Sequence, residues 1–172
     1  MNKPILIGLS FGLFLLQSAI LPFVFNGISQ PDLWLVSIII VAMIFKFDFA
    51  IIFALIAGFI QDLVISNFFG LHIFPYLIIA YLFAKYGKER YNKHWYVSAV
   101  AVIAGSLIYL ICETGILYLA GIKIISSLKL LEFGVVFVVY NTICSLLLHR
   151  ILWSFKFEKE YIGNEKTCTQ IT

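Results

Sequence analysis

AIIFALIAGFIQD, residues 50–62, has a small residue at every fourth position and ends on an acid. The small residues are Ala50, Ala54 and Gly58, and the acid is Asp62. On a helix with about 3.6 residues per turn, a four-residue step keeps these positions near one face, although the face winds slowly around the axis. Small residues let helix backbones approach closely in lipid. The spacing therefore predicts a helix that packs against a neighbour and presents Asp62 at its end.

The composition of the chain predicts that this helix lies in a membrane. Hydrophobic residues make up 62% of the 172 residues and charged residues 12%, whereas soluble domains have roughly 45–50% apolar and about 25% charged residues. A soluble protein of this size cannot bury so much apolar surface, so the surrounding medium is predicted to be lipid. The net charge is +3, and most basic residues flank apolar segments. The expected partner of these charges is the anionic face of a bilayer and not nucleic acid.

Six apolar segments are predicted to cross the membrane as one domain, residues 1–155, followed by a polar cytoplasmic tail. The spans are residues 4–24, 33–45, 49–64, 71–84, 95–120 and 130–155, and the tail is residues 156–172. The count depends on Lys46 and Asp48, which interrupt the second apolar segment. A single helix over residues 33–60 would be about 42 Å long and would bury both charges in the middle of the bilayer. Two short helices joined by a tight turn avoid that cost, so we predict an all-α, six-helix membrane bundle.

The positions of the basic residues predict the orientation of the bundle. With six spans and a cytoplasmic N-terminus, only Lys123 and Lys129 lie outside, and the other ten Lys and Arg residues lie inside. This bias follows the positive-inside rule and places both termini in the cytoplasm. Each tryptophan falls at a predicted helix end, where an amphipathic ring favours the membrane interface. The three tryptophans are Trp34, Trp95 and Trp153.

This topology gathers polar side chains at the outer membrane face. Asp32, Asp62 and His72 lie at the outer ends of predicted helices, and Glu113 lies roughly 10 Å below the outer end of the fifth span. An ionisable residue inside the membrane is a candidate for function. Together, these four side chains would form a proton relay, a cation site or a polar docking surface.

Each of these residues also has a structural interpretation. Asp32 is predicted to cap the N-terminus of the second span, and Asp62 and His72 lie where interfacial water reaches them. Glu113 is expected to pair with another polar group inside the membrane or to be protonated. The intramembrane amides available to it are Gln17 and Asn141.

Small residues on two further spans predict helix-packing faces. Gly8 and Gly12 are four residues apart in the first span, and Ala101 and Gly105 are four residues apart in the fifth. Each pair permits the same close approach of backbones as the stretch that ends at Asp62.

No motif in the sequence predicts an enzyme. The chain has no Gly-x-Ser-x-Gly nucleophile elbow, no His-Glu-x-x-His motif and no phosphate-binding glycine loop. Its three cysteines lack metal-ligand spacing, so no metal and no other cofactor is expected. Ser66, between Asp62 and His72, is the only serine near an outer acid and imidazole, and it keeps an intramembrane hydrolase as an alternative.

The chain resembles the rod shape-determining protein MreD family. The resemblance rests on PDL at residues 31–33, on AGFIQD at residues 57–62 and on GLH at residues 70–72. The order and spacing of these motifs and the total length agree with that family. The motifs cover about the first half of the chain, and the fifth and sixth spans match in hydropathy alone. The turn at residues 46–49 departs from the basic, glycine-containing turn expected of the family.

The resemblance implies a non-enzymatic component of the bacterial inner membrane that acts in cell elongation and lateral peptidoglycan synthesis. It implies binding to a bitopic MreC-type protein and, through it, association with an MreB-type filament and a RodA–penicillin-binding-protein synthase. The chain would then be a scaffold within this elongasome. Its partner-binding residues are predicted to be Asp32, Gly58, Asp62, Gly70 and His72.

The MreD family is also similar in fold to the substrate-binding subunits of energy-coupling-factor vitamin transporters, which are six-helix bundles. This similarity keeps open a second function, in which the chain binds a vitamin-type solute as a transporter subunit. An outer pocket lined by His72, Glu113 and Asn141 would hold the solute, and Gly8 and Gly12 would face the transport module.

Overall fold

The computed structural model describes residues 12, 15–21, 23, 30–64, 69–87, 95–122 and 127–168, with the backbone alone after residue 150. These parts are helical and contain no β-strand. The helices are α1 (Leu33–Ile44), α2 (Phe47–Val64), α3 (Ile73–Leu82), α4 (Trp95–Leu119) and α5 (Ser127–Cys168). Two short π-helical segments accompany them, Leu16–Ile20 before α1 and Phe83–Gly87 directly after α3.

The short helix α1 lies at the centre of the bundle. All 12 of its residues are buried, and α2, α3, α4 and α5 pack against it. At about 1.5 Å per residue it is about 18 Å long, which is much shorter than the ~30 Å hydrocarbon core of a bilayer. A helix that is apolar on every side is buried in the interior of a protein or membrane, and here the other four helices surround it.

Trp34, in the first turn of α1, is buried with the rest of the helix. Its side chain is 1% exposed, and its ring lies 5.8 Å from the ring of Phe53 on α2. Trp34 thus lies at a helix end, as predicted, but its ring is covered by neighbouring helices; its place at the membrane interface stays a prediction. The side chains of Trp95 and Trp153 lie outside the described part of the structure.

A two-residue turn separates α1 from α2. Phe45 adopts an extended backbone after α1 ends, and α2 begins at Phe47. Lys46 and Asp48 are both exposed. The turn thus lies where these two charges predict it, and it keeps both of them out of the protein interior.

The four-residue pattern of α2 forms a buried stripe, which we call the small-residue seam: Ala50, Ala54, Gly58 and Asp62. A Cβ atom built on Gly58 would lie 2.6 Å from the Cα atom of Ile73. The backbones of α2 and the first turn of α3 are therefore in contact at this point, and only glycine fits between them.

The small residues of α4 also lie at a helix contact. Ala101 and Gly105 are buried, and a Cβ atom built on Gly105 would clash with the side chain of Ile39 on α1. Gly12 differs, because a Cβ atom there would meet no atom of the described structure within 4 Å. Gly8 lies outside the described residues, so a packing role for Gly8 and Gly12 stays a prediction.

The apolar helices identify the chain as a membrane protein. Within the described ranges, three helical segments are long and apolar enough to cross a membrane: Phe47–Val64, Tyr96–Leu119 and Lys129–Arg150. Two shorter apolar helices accompany them: Leu33–Ile44 and Ile73–Gly87. Large apolar side chains such as Ile52 and Leu55 are exposed on α2, which fits a surface in contact with lipid.

The helix α5 continues past residue 155, the predicted end of the sixth span. Its backbone is helical to Cys168. No break in the helix therefore marks the boundary between the apolar span and the polar tail, and the two differ in composition alone. Residues 156–160 read KFEKE, and Lys and Glu are good helix formers. Most of the first predicted span, residues 4–24, lies outside the described residues. The division into six spans and a tail stays a prediction.

Candidate functional site

Polar side chains from several helices meet at one end of the bundle. Asp32 precedes α1, Asp62 lies in the last turn of α2, and His72 precedes α3. These three side chains are buried, with 4%, 3% and 7% of their surface exposed. They belong to a larger group that we call the polar cluster: Gln17, Asp32, Asp62, His72, Tyr76, Ser106 and Asn141.

The carboxylate of Asp62 accepts four hydrogen bonds from the segment that leads into α3. Oδ2 accepts from the backbone N–H of Gly70 at 2.6 Å and from that of Ile73 at 3.4 Å. Oδ1 accepts from the backbone N–H of His72 at 2.8 Å and from Nδ1 of the His72 ring at 2.9 Å. An ionised carboxylate only accepts hydrogen bonds, so Nδ1 is the donor. Asp62 therefore caps α3 from the end of the preceding helix.

Gly70 lets the chain turn toward Asp62. Its φ is +100°, in the left-handed region that favours glycine. Gly58, Asp62, Gly70 and His72 thus form one structural unit, in which a close helix contact, a turn and a remote cap fix the start of α3. The polar groups of Asp62 are satisfied inside the chain, so a partner would contact the surface around this unit. Partner binding by these residues stays a prediction.

Asp32 caps α1 and joins it to α3. Its Oδ1 accepts from the backbone N–H of Leu35 at 3.1 Å, and its Oδ2 accepts a short hydrogen bond from the hydroxyl of Tyr76. Burial raises the pKa of the Asp32 carboxyl above its ordinary value, and the hydrogen bonds from Tyr76 and Leu35 oppose that increase. The local cap and the contact between helices thus share one buried carboxyl.

Two amide side chains complete the cap of α1. The first N–H groups of a helix have no acceptor within the helix. Gln17 Oε1 accepts from the Leu33 N–H at 2.9 Å, and Asn141 Oδ1 accepts from the Asp32 N–H at 2.7 Å. The sequence suggests these amides as partners of Glu113, whereas the structure uses both to bind the backbone at the start of α1. The reason is that these buried N–H groups need an acceptor.

Glu113 lies beside the cluster on α4, next to a layer of aromatic rings. The rings of His72, Tyr76 and Tyr109 contact one another at centroid distances between 5.8 and 6.2 Å. Glu113 follows Tyr109 by one helical turn and interacts electrostatically with His72 and Asp32. The acids that the sequence assigns to the outer face therefore lie around a common region lined by tyrosines.

Sequence reasoning misses Tyr76, Tyr109 and Ser106. Ser106 Oγ accepts from Asn141 Nδ2 at 3.1 Å and so links α4 to α5. Tyr76 follows His72 by four residues, a spacing that places both on one helix face and is the signal by which Tyr76 can be found. Tyr109 lies four residues after Gly105 and four before Glu113, so the same spacing points to it, whereas Ser106 carries no comparable signal.

A second polar contact joins α4 to α5 away from the cluster. Ser98 Oγ and His149 Nδ1 are buried and lie 2.7 Å apart. Asn141, Ser145 and His149 follow one another at four-residue steps on α5, and all three are buried. This face of α5 therefore turns inward, where hydrogen bonds between helices add to close packing in lipid.

The polar cluster makes hydrogen bonds within the chain, and its acids are not arranged as metal ligands. Within the described ranges, no group of three or more His, Cys, Asp and Glu side chains is placed to hold a metal ion. Ser66, the serine considered for hydrolysis, lies outside those ranges. Cys112 and Cys144 are half-buried free thiols.

Comparison with protein families gives a match over most of the chain. The family model described as rod shape-determining protein MreD matches residues 1–159. No curated protein and no solved structure gives a match. The matched range includes the small-residue seam, the polar cluster and the apolar part of α5, so it extends well beyond the motifs in the first half of the sequence.

Proposed function

Because the chain belongs to the rod shape-determining protein MreD family, we propose that it is a scaffold of the complex that elongates the cell and builds lateral peptidoglycan. Membership supports a role in determining rod shape, and the apolar helices support a place in a membrane. The proposal adds that the chain binds a bitopic MreC-type protein in the cytoplasmic membrane. Through that partner it associates with an MreB-type filament and a RodA–penicillin-binding-protein synthase.

The proposed topology has six spans with both termini in the cytoplasm, as in the substrate-binding subunits of energy-coupling-factor transporters. Two features of the helices support it. Lys46 lies in the turn at one end of the bundle, and Lys85 lies in the π-helical segment at the same end. The polar cluster lies at the opposite end. The positive-inside rule then assigns the lysine end to the cytoplasm and the polar cluster to the outer face.

The observation that supports a docking role is an exposed aromatic surface beside the cap of α3. We call Phe59, Phe69 and Phe74 the phenylalanine surface; they are 46%, 68% and 64% exposed. The rings of Phe59 and Phe69 lie 5.6 Å apart. Phe69 and Phe74 flank the segment whose N–H groups bind Asp62. Aromatic residues are enriched in protein interfaces, so this surface is the proposed contact for the membrane segment of the MreC-type partner.

Co-purification with the MreC-type protein of the same organism tests the docking surface. The variant carries Phe69→Ser and Phe74→Ser. The control carries Ile52→Ser and Val100→Ser, two apolar residues that are 59% and 64% exposed away from this surface. We expect recovery of the partner to fall at least about tenfold with the phenylalanine variant and to be unchanged with the control, because a few central aromatic contacts carry most of an interface's binding energy.

Two outcomes would contradict the proposal at different levels. If a folded phenylalanine variant recovers the partner fully, the docking surface is wrong. If depletion of the protein leaves the cells rod-shaped, the function itself is wrong. A combined Gly58→Leu and Asp62→Ala variant addresses the support beneath the surface, and its complex should also be lost.

The transporter-subunit alternative requires a bound vitamin-type solute. Asn141, which would line the solute pocket, is fully buried and uses both polar atoms of its amide within the chain. A solute there would displace contacts that cap α1, which makes the scaffold the better supported function. Thermal stabilisation of the purified protein by a vitamin would favour the transporter instead.

A further inference from the structure

An apolar groove of about 880 Å³ lies between the end of α3 and the first half of α4. Its wall includes Met43 at the end of α1, Phe83 and Tyr86 in the π-helical segment, and Val100 and Ala104 on α4. This end of the bundle is opposite the polar cluster. None of the described residues that line the groove belongs to that cluster or to the phenylalanine surface, so the groove has no part in the proposed scaffold contact.

Lys85 is the only charged side chain among the described residues that line this groove. Its ammonium nitrogen is 3.3 Å from the hydroxyl oxygen of Tyr81. The same nitrogen lies 5.5 Å and 5.4 Å from the centres of the Tyr81 and Tyr86 rings. Cation–π contacts of this length hold the charge beside the groove. The side chain is exposed, so an anion can approach it from outside.

We propose that this groove binds one anionic phospholipid, with an acyl chain along the apolar wall and the phosphate at the Lys85 ammonium. The helices that form the groove belong to a membrane protein, so lipid is the medium around it. Its volume falls in the range of roughly 300–1,000 Å³ found for small-ligand pockets. Within the described part of the chain, one cation borders the apolar wall, which matches the form of a phospholipid, in which the phosphate adjoins the chains. Basic pockets between membrane helices recognise anionic head groups in this way.

The net charge of the head group distinguishes the proposed occupant from other lipids. An anionic head group places an unbalanced negative charge at Lys85, whereas a zwitterionic choline lipid also brings a cation to the same place. The apolar wall contributes equally to both lipids, because it contacts the acyl chain alone. Selectivity between them therefore depends on Lys85, and occupancy by either depends on the wall.

Native mass spectrometry of the full chain in detergent tests this proposal. The probes are dioleoyl phosphatidylglycerol and dioleoyl phosphatidylcholine, which share acyl chains and differ in net charge. The variant is Lys85→Gln, and the control is Lys46→Gln, an exposed lysine at the same end of the bundle. We expect Lys85→Gln to weaken phosphatidylglycerol binding about fivefold, equal to the ~1 kcal/mol contributed by one Lys at an anionic membrane surface. Lys46→Gln should bind this lipid as the unmodified protein does.

A second variant tests the wall of the groove. Ala104→Trp fills the space along α4 and is expected to weaken the binding of both lipids, whereas Leu55→Trp, on the exposed face of α2, should not.

Equal losses with Lys85→Gln and Lys46→Gln would overturn the proposal, because diffuse surface charge would then explain the binding. Equal affinity of the unmodified protein for both lipids would show that Lys85 does not select the anionic head group, and this would overturn the proposal. Unchanged binding by a folded Ala104→Trp variant would mean that the lipid binds elsewhere.

Discussion

A buried carboxylate is stable only where hydrogen bonds replace the water that it loses. Asp62 obtains three such bonds from backbone N–H groups and one from an imidazole. The backbone donors lie eight, ten and eleven residues further along the chain. The residue therefore acts at the start of α3 as a local N-cap acts at other helices, but from the end of a different helix. Its main consequence is a fixed turn between α2 and α3.

Replacing Asp62 with Asn is expected to lower the free energy of unfolding by ~1–3 kcal/mol, because an amide offers fewer acceptor sites and turns a donor toward buried N–H groups. The midpoint of thermal unfolding in detergent measures the change. Asp48→Asn, at an exposed position in the first turn of α2, should lower the midpoint much less. Equal effects of the two substitutions would refute the assignment of Asp62 as the cap of α3.

Replacing Tyr76 with Phe tests the contact between α3 and the cap of α1. The ring is retained, but Asp32 Oδ2 loses the hydroxyl that donates to it. A buried acceptor without its donor costs ~1–3 kcal/mol, so the unfolding midpoint should fall. Tyr118→Phe is the matched control, because Tyr118 is 72% exposed. A Tyr76→Phe variant as stable as this control would mean that the hydroxyl contributes nothing to the cap.

At the scale of helices, the contact of α2 with α3 depends on the absence of a side chain at Gly58. Gly58→Ala would place its Cβ atom 2.6 Å from the Ile73 Cα atom, and we expect a loss of ~1–3 kcal/mol from overpacking. Gly115→Ala on α4 is the control, because its Cβ atom would meet nothing within 4 Å. Alanine there should stabilise the helix by up to ~1 kcal/mol. Thermal unfolding measures both, and changes of the same sign would contradict the packing argument.

The helices differ in how much of their environment the sequence predicts. The seam of α2 and the turn at Lys46 follow from local spacing and charge, so the sequence predicts both. α1 is apolar on every side, so its pattern indicates no preferred face and gives no sign that four helices surround it. The burial of Trp34 by neighbouring helices is absent from the sequence pattern for the same reason. Burial of a helix end depends on which neighbours cover it, and local spacing contains no such information.

The polar cluster shows the same division between local and long-range information. The sequence identifies Asp32, Asp62 and His72 as polar groups at helix ends, because each interrupts an apolar segment. Tyr109 shares a helix face with Glu113, four residues further on, but the contacts of its ring with His72 and Tyr76 depend on the rotation of α4, which is set by packing. The resemblance to the MreD family, which rests on local motifs, is confirmed by the match over residues 1–159.

At the scale of the whole molecule, the two ends of the bundle have different chemistry. At one end, buried acids and amides fix the starts of α1 and α3 and support exposed phenylalanines. At the other end, Lys46 is exposed in a turn and Lys85 borders an apolar groove. In the proposed function the first end contacts the partner protein, and in the proposed lipid site the lysines of the second end favour an anionic lipid surface. This division requires that the two ends lie on opposite sides of the membrane.

Labelling with a membrane-impermeant maleimide tests that requirement. The experiment uses a cysteine-free background, in which Cys112, Cys144 and Cys168 are replaced by Ala. Asp48→Cys marks the first turn of α2, and Ala120→Cys marks the end of α4; both positions are exposed. Since the basic end is expected to face the cytoplasm, Ala120→Cys should react in intact spheroplasts and Asp48→Cys only after permeabilisation. The opposite pattern would invert the topology, and reaction of both in intact spheroplasts would contradict the placement of the two ends on opposite sides.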